Sequence, residues 1–365
     1  MGTVFRADQV GSLLRPAALL RAREAYASGA LPEESLRAEE DAAILGALEG
    51  QRRVGLGVFT DGEFRRGSWI TDMAEAVEGF VPHSRPVHWY GPGGGTEPST
   101  SRVVGGRLRR RRRLTEREVP FLARHAPGPY KVTLPAPSNF YVVGWQQGLT
   151  DAVYDTRSEM MEDVVRILRE EVESLIAEGV PYVQLDAPYY GSFIDERERQ
   201  RLRDAGVDPD RALLEVVAAD DACVQGLSRE GVVLALHVCR GNSRSRWLAE
   251  GAYDPIAEPL LGTVSVDAFL LEYDSPRAGG FAPLRFLPAD KTAVLGLVTT
   301  KEPGLESRDD LLRRIDEANR YVPLDRLALS PQCGFASVAA GNLISEDDQW
   351  RKLELVVETA RAVWG

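Results

Sequence analysis

Short apolar runs alternate with amphipathic stretches along most of this chain, and nearly every run stops at a polar side chain or a glycine-bearing turn. This alternation constrains the fold more than any other feature. Parallel strands need a long crossover between them, and a helix that buries one face against the sheet is the usual one. The runs at 3–10, 54–60, 130–134, 182–186, 234–242, 264–271, 293–298 and 327–330 read as eight strands, the fifth closing in a turn. Helices are expected over 33–53, 157–178, 210–229, 308–321 and 346–364. The second of these carries Met160, Met161, Val164, Val165, Leu168, Val172, Leu175 and Ile176 in one apolar stripe.

Eight strands alternating with helices predict a (β/α)8 TIM barrel, a single catalytic domain over 1–365. From 79 to 126 the rhythm breaks, so an insertion is expected there, after the second strand. Within it, Gly91-Pro92-Gly93-Gly94-Gly95 lacks the Gly-Lys-Ser/Thr ending of a phosphate loop and reads as flexible. The basic run Arg107 to Arg113 has no interleaved aromatics and reads as a solvated hairpin; an anion, a polyanionic donor tail or a partner subunit are the alternatives. A doubly wound open sheet is the rival fold. It would scatter the polar strand-end residues along an edge, whereas a barrel delivers them to one rim.

Those strand-end residues are Ser12, Glu63, Asp186, His237 with Cys239, Glu272, Lys301 and Cys333. Strand side chains alternate between faces, so His237 and Cys239, two apart, point the same way. Alone they are half a metal site, with a core histidine and a core cysteine as the plainer reading. Glu272 and Cys333, ending the sixth and eighth strands, complete a set of one nitrogen, two sulfurs and one oxygen. That set suits tetrahedral zinc better than magnesium or calcium, which prefer all-oxygen shells. Taken singly, Glu272 reads as a surface carboxylate or ion-pair partner and Cys333 as a small buried residue. Cys223 falls inside the 210–229 helix among Ala and Val and is expected to pack in the core. Lys301 is expected either to meet an anionic donor or acceptor or to be exposed.

Composition narrows the function. With 44 basic against 55 acidic residues the net charge is -11, which argues against nucleic acid and anionic membrane as partners. No stretch has the ~18 uninterrupted apolar residues of a membrane span, and the start of the chain has no leader pattern, so the cytoplasm is the expected location. Three cysteines far apart do not make a disulfide framework.

The segments Val10-Gly11-Ser12, Asp61-Gly62-Glu63, Gln184-Leu185-Asp186-Ala187-Pro188, His237-Val238-Cys239, Leu271-Glu272 and Pro331-Gln332-Cys333-Gly334, in this order, resemble the carboxyl-terminal catalytic barrel of cobalamin-independent methionine synthase. The resemblance covers nearly the whole chain. It implies a (β/α)8 fold, zinc held by His237, Cys239, Glu272 and Cys333, and an amino-acid thiol held by Ser12, Glu63 and Asp186. The two carboxylates would take the substrate ammonium; capping of neighbouring helices, or pairing with Arg65 or Arg66, is their plainer role. Similar single-barrel proteins include short methionine synthases and epoxyalkane coenzyme M transferase.

The sequence departs from the synthase pattern twice. Ala187 follows Asp186 where Asp-Glu-Pro is usual, and Thr299-Thr300-Lys301 stands after the seventh strand where a histidine is expected to protonate the departing folate. The expected function is therefore zinc-dependent transfer of a methyl or other alkyl group to a thiol such as homocysteine, with the donor left open. The alternatives are zinc-dependent addition of a thiol to, or its removal from, a non-methyl electrophile, and a non-enzymatic zinc-binding barrel. With four protein ligands on zinc, the harder Glu272 is the one expected to give way to substrate thiol. A homo-oligomer is compatible with the sequence.

Overall fold

The computed structural model describes residues 4–365; Thr3, the start of the first expected strand, lies outside them. The long stretch after the second expected strand folds as an antiparallel hairpin of β1 (Val77–Trp89) and β2 (Gly95–Arg110). Six parallel strands follow in unbroken neighbour order: β3 (Lys131–Pro135), β4 (Tyr182–Asp186), β5 (Val233–Val238), β6 (Ala268–Glu272), β7 (Thr292–Val298) and β8 (Leu327–Pro331).

Two extended segments close this sheet into a (β/α)8 barrel. Ala7 bridges Leu329 of β8 in parallel, through Asp8 N to Leu329 O at 2.8 Å and Leu329 N to Arg6 O at 2.9 Å. Phe59 bridges Tyr130 beside β3, with Lys131 N donating to Phe59 O at 2.7 Å. The seam between these two segments is joined largely by side chains. Thr60 Oγ1 donates to Gly11 O at 2.8 Å and Gln9 Nε2 to Val58 O at 3.3 Å, beside one backbone bond from Leu13 to Gly62. A ladder made this way satisfies buried polar groups without regular strand pairing.

Sequence and structure differ at element ends and in helices the sequence did not announce, among them Ala17–Ala27, Glu118–His125 and Glu196–Asp204. Val54 was expected to open the second strand but closes the helix Glu33–Val54, where Gly55 adopts a left-handed φ of 86° that an L side chain resists. The sixth strand was expected from 264, but the chain up to Thr263 forms an unforeseen helix, Asp254–Thr263, and β6 starts at Ala268.

The inward face of the barrel alternates with an outward face packed on helices. Val10, Val58, Tyr182, Val233, Ala235, Ala268, Leu270, Val294 and Ala328 form one buried cluster inside it. Above them Lys131 Nζ, fully buried, donates to Asp8 at 2.6 Å and to Gln184 Oε1 at 2.9 Å. A buried charge is tolerated when paired and hydrogen-bonded in this way.

The arginine run lies at the solvated end of the hairpin, as expected, with Arg107, Arg109 and Arg111 exposed, while most of its members pair with acids of the same molecule. Arg107 pairs with Glu159, Arg110 with Glu170, Arg111 with Glu78, and Arg113 with Glu171 and Glu178. Four of these five acids lie on or next to the helix Arg157–Ala177, and Glu171, fully buried, also accepts from the backbone of Leu114 and Thr115. Hydrogen bonds to a buried carboxylate contribute about 1.5–3 kcal/mol each, so this cluster pins the hairpin root to the barrel.

Candidate metal centre and substrate cavity

Three of the four expected ligands converge. His237 points inward from β5, Cys239 follows on the same face one turn of the pleat later, and Cys333 arrives just past the end of β8. Their ligand atoms all lie within 4.8 Å of one another, and all three residues are buried. The two sulfurs stand 3.8 Å apart. His237 Nδ1 lies 3.2 Å from Leu270 O, which fixes the proton on Nδ1, while Nε2 is buried with no hydrogen-bond partner.

This arrangement fits a tetrahedral thiophilic ion. Two thiolates about 2.3 Å from such an ion stand about 3.8 Å apart, and a histidine oriented through Nδ1 presents Nε2 as its ligand atom. The sulfurs divide one proton unequally. Contact with Cys239, then His237, holds Cys333 well below the ordinary thiol range, while the same contact and burial push Cys239 well above it. Burial works against a charged His237, but the Cys333 sulfur outweighs it and the imidazole is raised.

Glu272 stands beside this trio without joining it. Its Oε2 accepts from Arg240 N at 2.9 Å, and its Oε1 faces Arg277 Nη2 at 3.2 Å and Nε at 3.3 Å. Burial disfavours its charge, but Lys301, Arg240 and Arg277 outweigh that and hold it ionised.

Above the trio opens a cavity of about 640 Å³, lined by Ser12, Glu63, Asp186, His237, Cys239 and Cys333 among others. Glu63 sits at a left-handed φ of 57°, set by Asp61 Oδ1, which accepts from Glu63 N at 2.9 Å. A non-glycine residue held there is strained, and the strain turns its carboxylate into the cavity. Its Oε1 accepts from Thr133 at 3.1 Å and its Oε2 has no partner. Burial pushes Glu63 up to about 7, with Arg66 pulling it down and Asp186 pushing it up. Asp186 accepts from Gln184 Nε2 at 2.8 Å and is likewise pushed by burial to about 6, against the pull of His237. Two half-relieved buried carboxylates side by side favour a cationic guest. Ser12 Oγ packs on Gly334, where a Cβ would collide with it.

Lys301 is placed differently. It is buried, donates to Asn242 Oδ1 at 3.2 Å, and does not line the cavity. Nothing from the loop after β7 reaches the cavity: Thr300 is tied to Gln332 and Asn342. Cys223 is fully buried in the helix Pro209–Val224, its thiol pushed up by burial.

Sequence reasoning missed the cavity wall. Arg85, Val87 and Trp89 of β1 line it, as do Trp69 and Tyr189. The signal was present, since Arg85, Val87 and Trp89 recur every second residue, as one face of a strand requires. The flanking glycines obscured it.

Known proteins agree with this architecture. A Listeria monocytogenes chain provisionally named a vitamin-B12-independent methionine synthase superposes with a TM-score of 0.76 at 28% identity, covering 100% of this chain and 99% of that one. Bacillus subtilis YxjG, an uncharacterized protein, is 38% identical over 363 residues, 99% of this chain and 95% of its own. The methionine synthase of Pyrococcus abyssi is 24% identical over 356 residues, 97% of this chain and 91% of its own. Residues 5–361 match the model of the cobalamin-independent synthase catalytic domain, and the chain belongs to that family.

Proposed function

We propose that this protein is a zinc-dependent enzyme that transfers a methyl group, or another alkyl group, to the sulfur of an amino-acid thiol such as homocysteine. The observation that carries the reading is the convergence of an unpartnered His237 Nε2 with two sulfurs at the floor of a cavity flanked by Glu63 and Asp186. The family membership and the methionine synthase of Pyrococcus abyssi support it.

His237, Cys239 and Cys333 would hold the ion, with Glu272 as an exchangeable fourth ligand. Zinc bound there would keep a substrate thiol deprotonated near neutral pH, where a free thiol is mostly protonated. The chain's own groups do the rest. Glu63 and Asp186 take the substrate ammonium, and Ser12 takes its carboxylate, so the sulfur is held over the two cysteines. The aromatic side chains of Trp69, Trp89 and Tyr189 line the cavity and would keep water from the alkyl donor bound there. Orientation of that kind supplies much of the acceleration in a displacement reaction. Three unpaired buried thiols fit a reducing compartment, and the cytoplasm is the proposed location. Among the described residues no helix is long and apolar enough to cross a membrane.

A second reading is thiol addition to a non-methyl electrophile. The loop after β7 favours it, because no histidine there faces the cavity to protonate a departing folate. Metal analysis followed by product analysis with homocysteine and a panel of methyl donors tests both. Methionine as product sustains the first; reaction only with a non-methyl electrophile replaces it with the second.

A further inference from the structure

Both acids on the hairpin strands are already taken, Glu78 by Arg111 and Glu97 by Arg246. Arg197 and Arg201, on the helix Glu196–Asp204 that borders the hairpin, are likewise satisfied, the first by Asp195 and Glu250 and the second by Glu198. Arg85 is not. Among the described residues it is half-buried, forms no ion pair and donates no side-chain hydrogen bond. A partly desolvated cation without a counter-ion, in a chain of net charge -11, is a place left for an anionic guest.

Its surroundings suit one. β1 presents Arg85, Val87 and Trp89 to the cavity, and the hairpin register sets Ser99 directly across from Arg85 and Ser101 across from His83, both serines lining the cavity. Side chains opposed in this way have Cβ atoms about 4.5–5.5 Å apart, so a guanidinium and two hydroxyls share one patch of the wall. Arg85 also lines a second cavity of about 260 Å³ between the hairpin and the helix Glu196–Asp204, which has Val87, Tyr189 and Leu248 in common with the first. None of Ser12, Glu63, Asp186, His237, Cys239 and Cys333 lines that second space. Arg85 therefore stands at the common boundary, away from the groups assigned to the thiol.

We propose that Arg85, with Ser99 and Ser101, forms an anion subsite at this boundary and takes an acidic group borne by the ring system of the alkyl donor. The assignment to the donor rests on the transfer reading above. Trp69, Trp89 and Tyr189 offer a flat ring their apolar faces, the guanidinium fork takes two oxygens of its acidic substituent, and the side cavity receives what extends beyond. A neutral donor would gain nothing from Arg85, which makes it a specificity-determining residue.

Fluorescence titration of the full chain with two matched dyes tests this: anilinonaphthalene sulfonate, and phenylnaphthylamine, the same ring system without the sulfonate. Arg85→Met, which keeps the apolar stem and loses the charge, is expected to weaken the sulfonate dye about 20-fold and the neutral dye by no more than about twofold. Arg85→Lys should end about fivefold below the wild type for the sulfonate dye, because the charge returns without the fork. Ser99→Ala should weaken the same dye about threefold, and it carries the test if Arg85→Met fails to fold by circular dichroism. Saturating homocysteine should displace neither dye. The proposal is overturned if Arg85→Met affects both dyes alike or leaves the sulfonate dye unchanged. It is equally overturned if homocysteine releases the sulfonate dye, since Arg85 would then serve the carboxylate of the thiol. The dye titrations of the variants need neither zinc nor turnover, so a chain that binds no zinc would bring down the transfer reading while the dyes still decide the anion subsite.

Discussion

The barrel floor and the hairpin wall contribute to the same cavity by opposite means. The floor groups, His237, Asp186 and the two cysteines, sit on or just beyond strands of five or six residues whose ladders fix them, all at 6% exposure or less. The wall is a hairpin of 13- and 16-residue strands, alternately exposed and held mainly at its ends. At its root Arg66 joins Asp72 and Glu118, which flank the hairpin in sequence, and Glu171 gathers the turn beyond β2. At its tip Tyr90 pairs with Trp247, and Arg246 with Glu97 at 2.7 Å. On the proposed reading the floor sets which bond can be made, and the wall sets which donor can reach it.

The largest expected effect separates the two regions at once. Cys333→Ala should weaken zinc binding roughly 1,000-fold and abolish transfer, because a ligand rather than its support is lost. Metal content after dialysis against a chelator reads this; retained zinc would break the assignment of the floor. Replacing residues 82–102 with Asn-Gly, between the paired Val81 and Val103, should leave one zinc per chain. Transfer in that variant should fall about 100-fold through lost positioning. If transfer survives, the wall has no part in the reaction.

Asp186→Asn should raise the KM for the amino-acid thiol about 30-fold, by removing one charged contact to the ammonium, while zinc content stays unchanged. An equal effect on a thiol without an amino group would show that Asp186 acts otherwise.

The smallest effect concerns the hairpin root. Burial raises Glu118 to about 8 and Asp72 to about 6, against the pull of Arg66. Both values lie above those of the unfolded chain, so the folded state binds the extra protons. That contribution is fully present below pH 4 and is lost as the pH rises through 6 and then 8. Glu118→Gln should remove the upper part, flattening the denaturant stability between pH 6 and 9 by about 2.5 kcal/mol. A stability gap between the two proteins that stays constant over that range would contradict it.

The difference between floor and wall also explains what could be read from the chain. Strand period and helical period are local, so the β4 boundaries and the helix Glu346–Trp364 agree with expectation residue for residue. The barrel's first two segments were harder, because Thr60 and Gln9 join them through side chains that leave no periodic trace. Arg107 to Arg113 could be read as a solvated hairpin, but its ion pairs could not, because the acids that meet Arg107, Arg110 and Arg113 lie some fifty residues later, on another element.

The sequence by itself determined the barrel and the rim to which its strand ends go, and offered the candidate donor atoms, because alternation and strand termini are properties of neighbouring residues. Only the tertiary structure decided which of those atoms meet. Glu272 and Lys301 come to the same rim as His237, Cys239 and Cys333, yet one is turned toward Arg277 and the other toward Asn242. That choice depends on competing partners brought in from distant loops, and no local pattern encodes a competition settled across space.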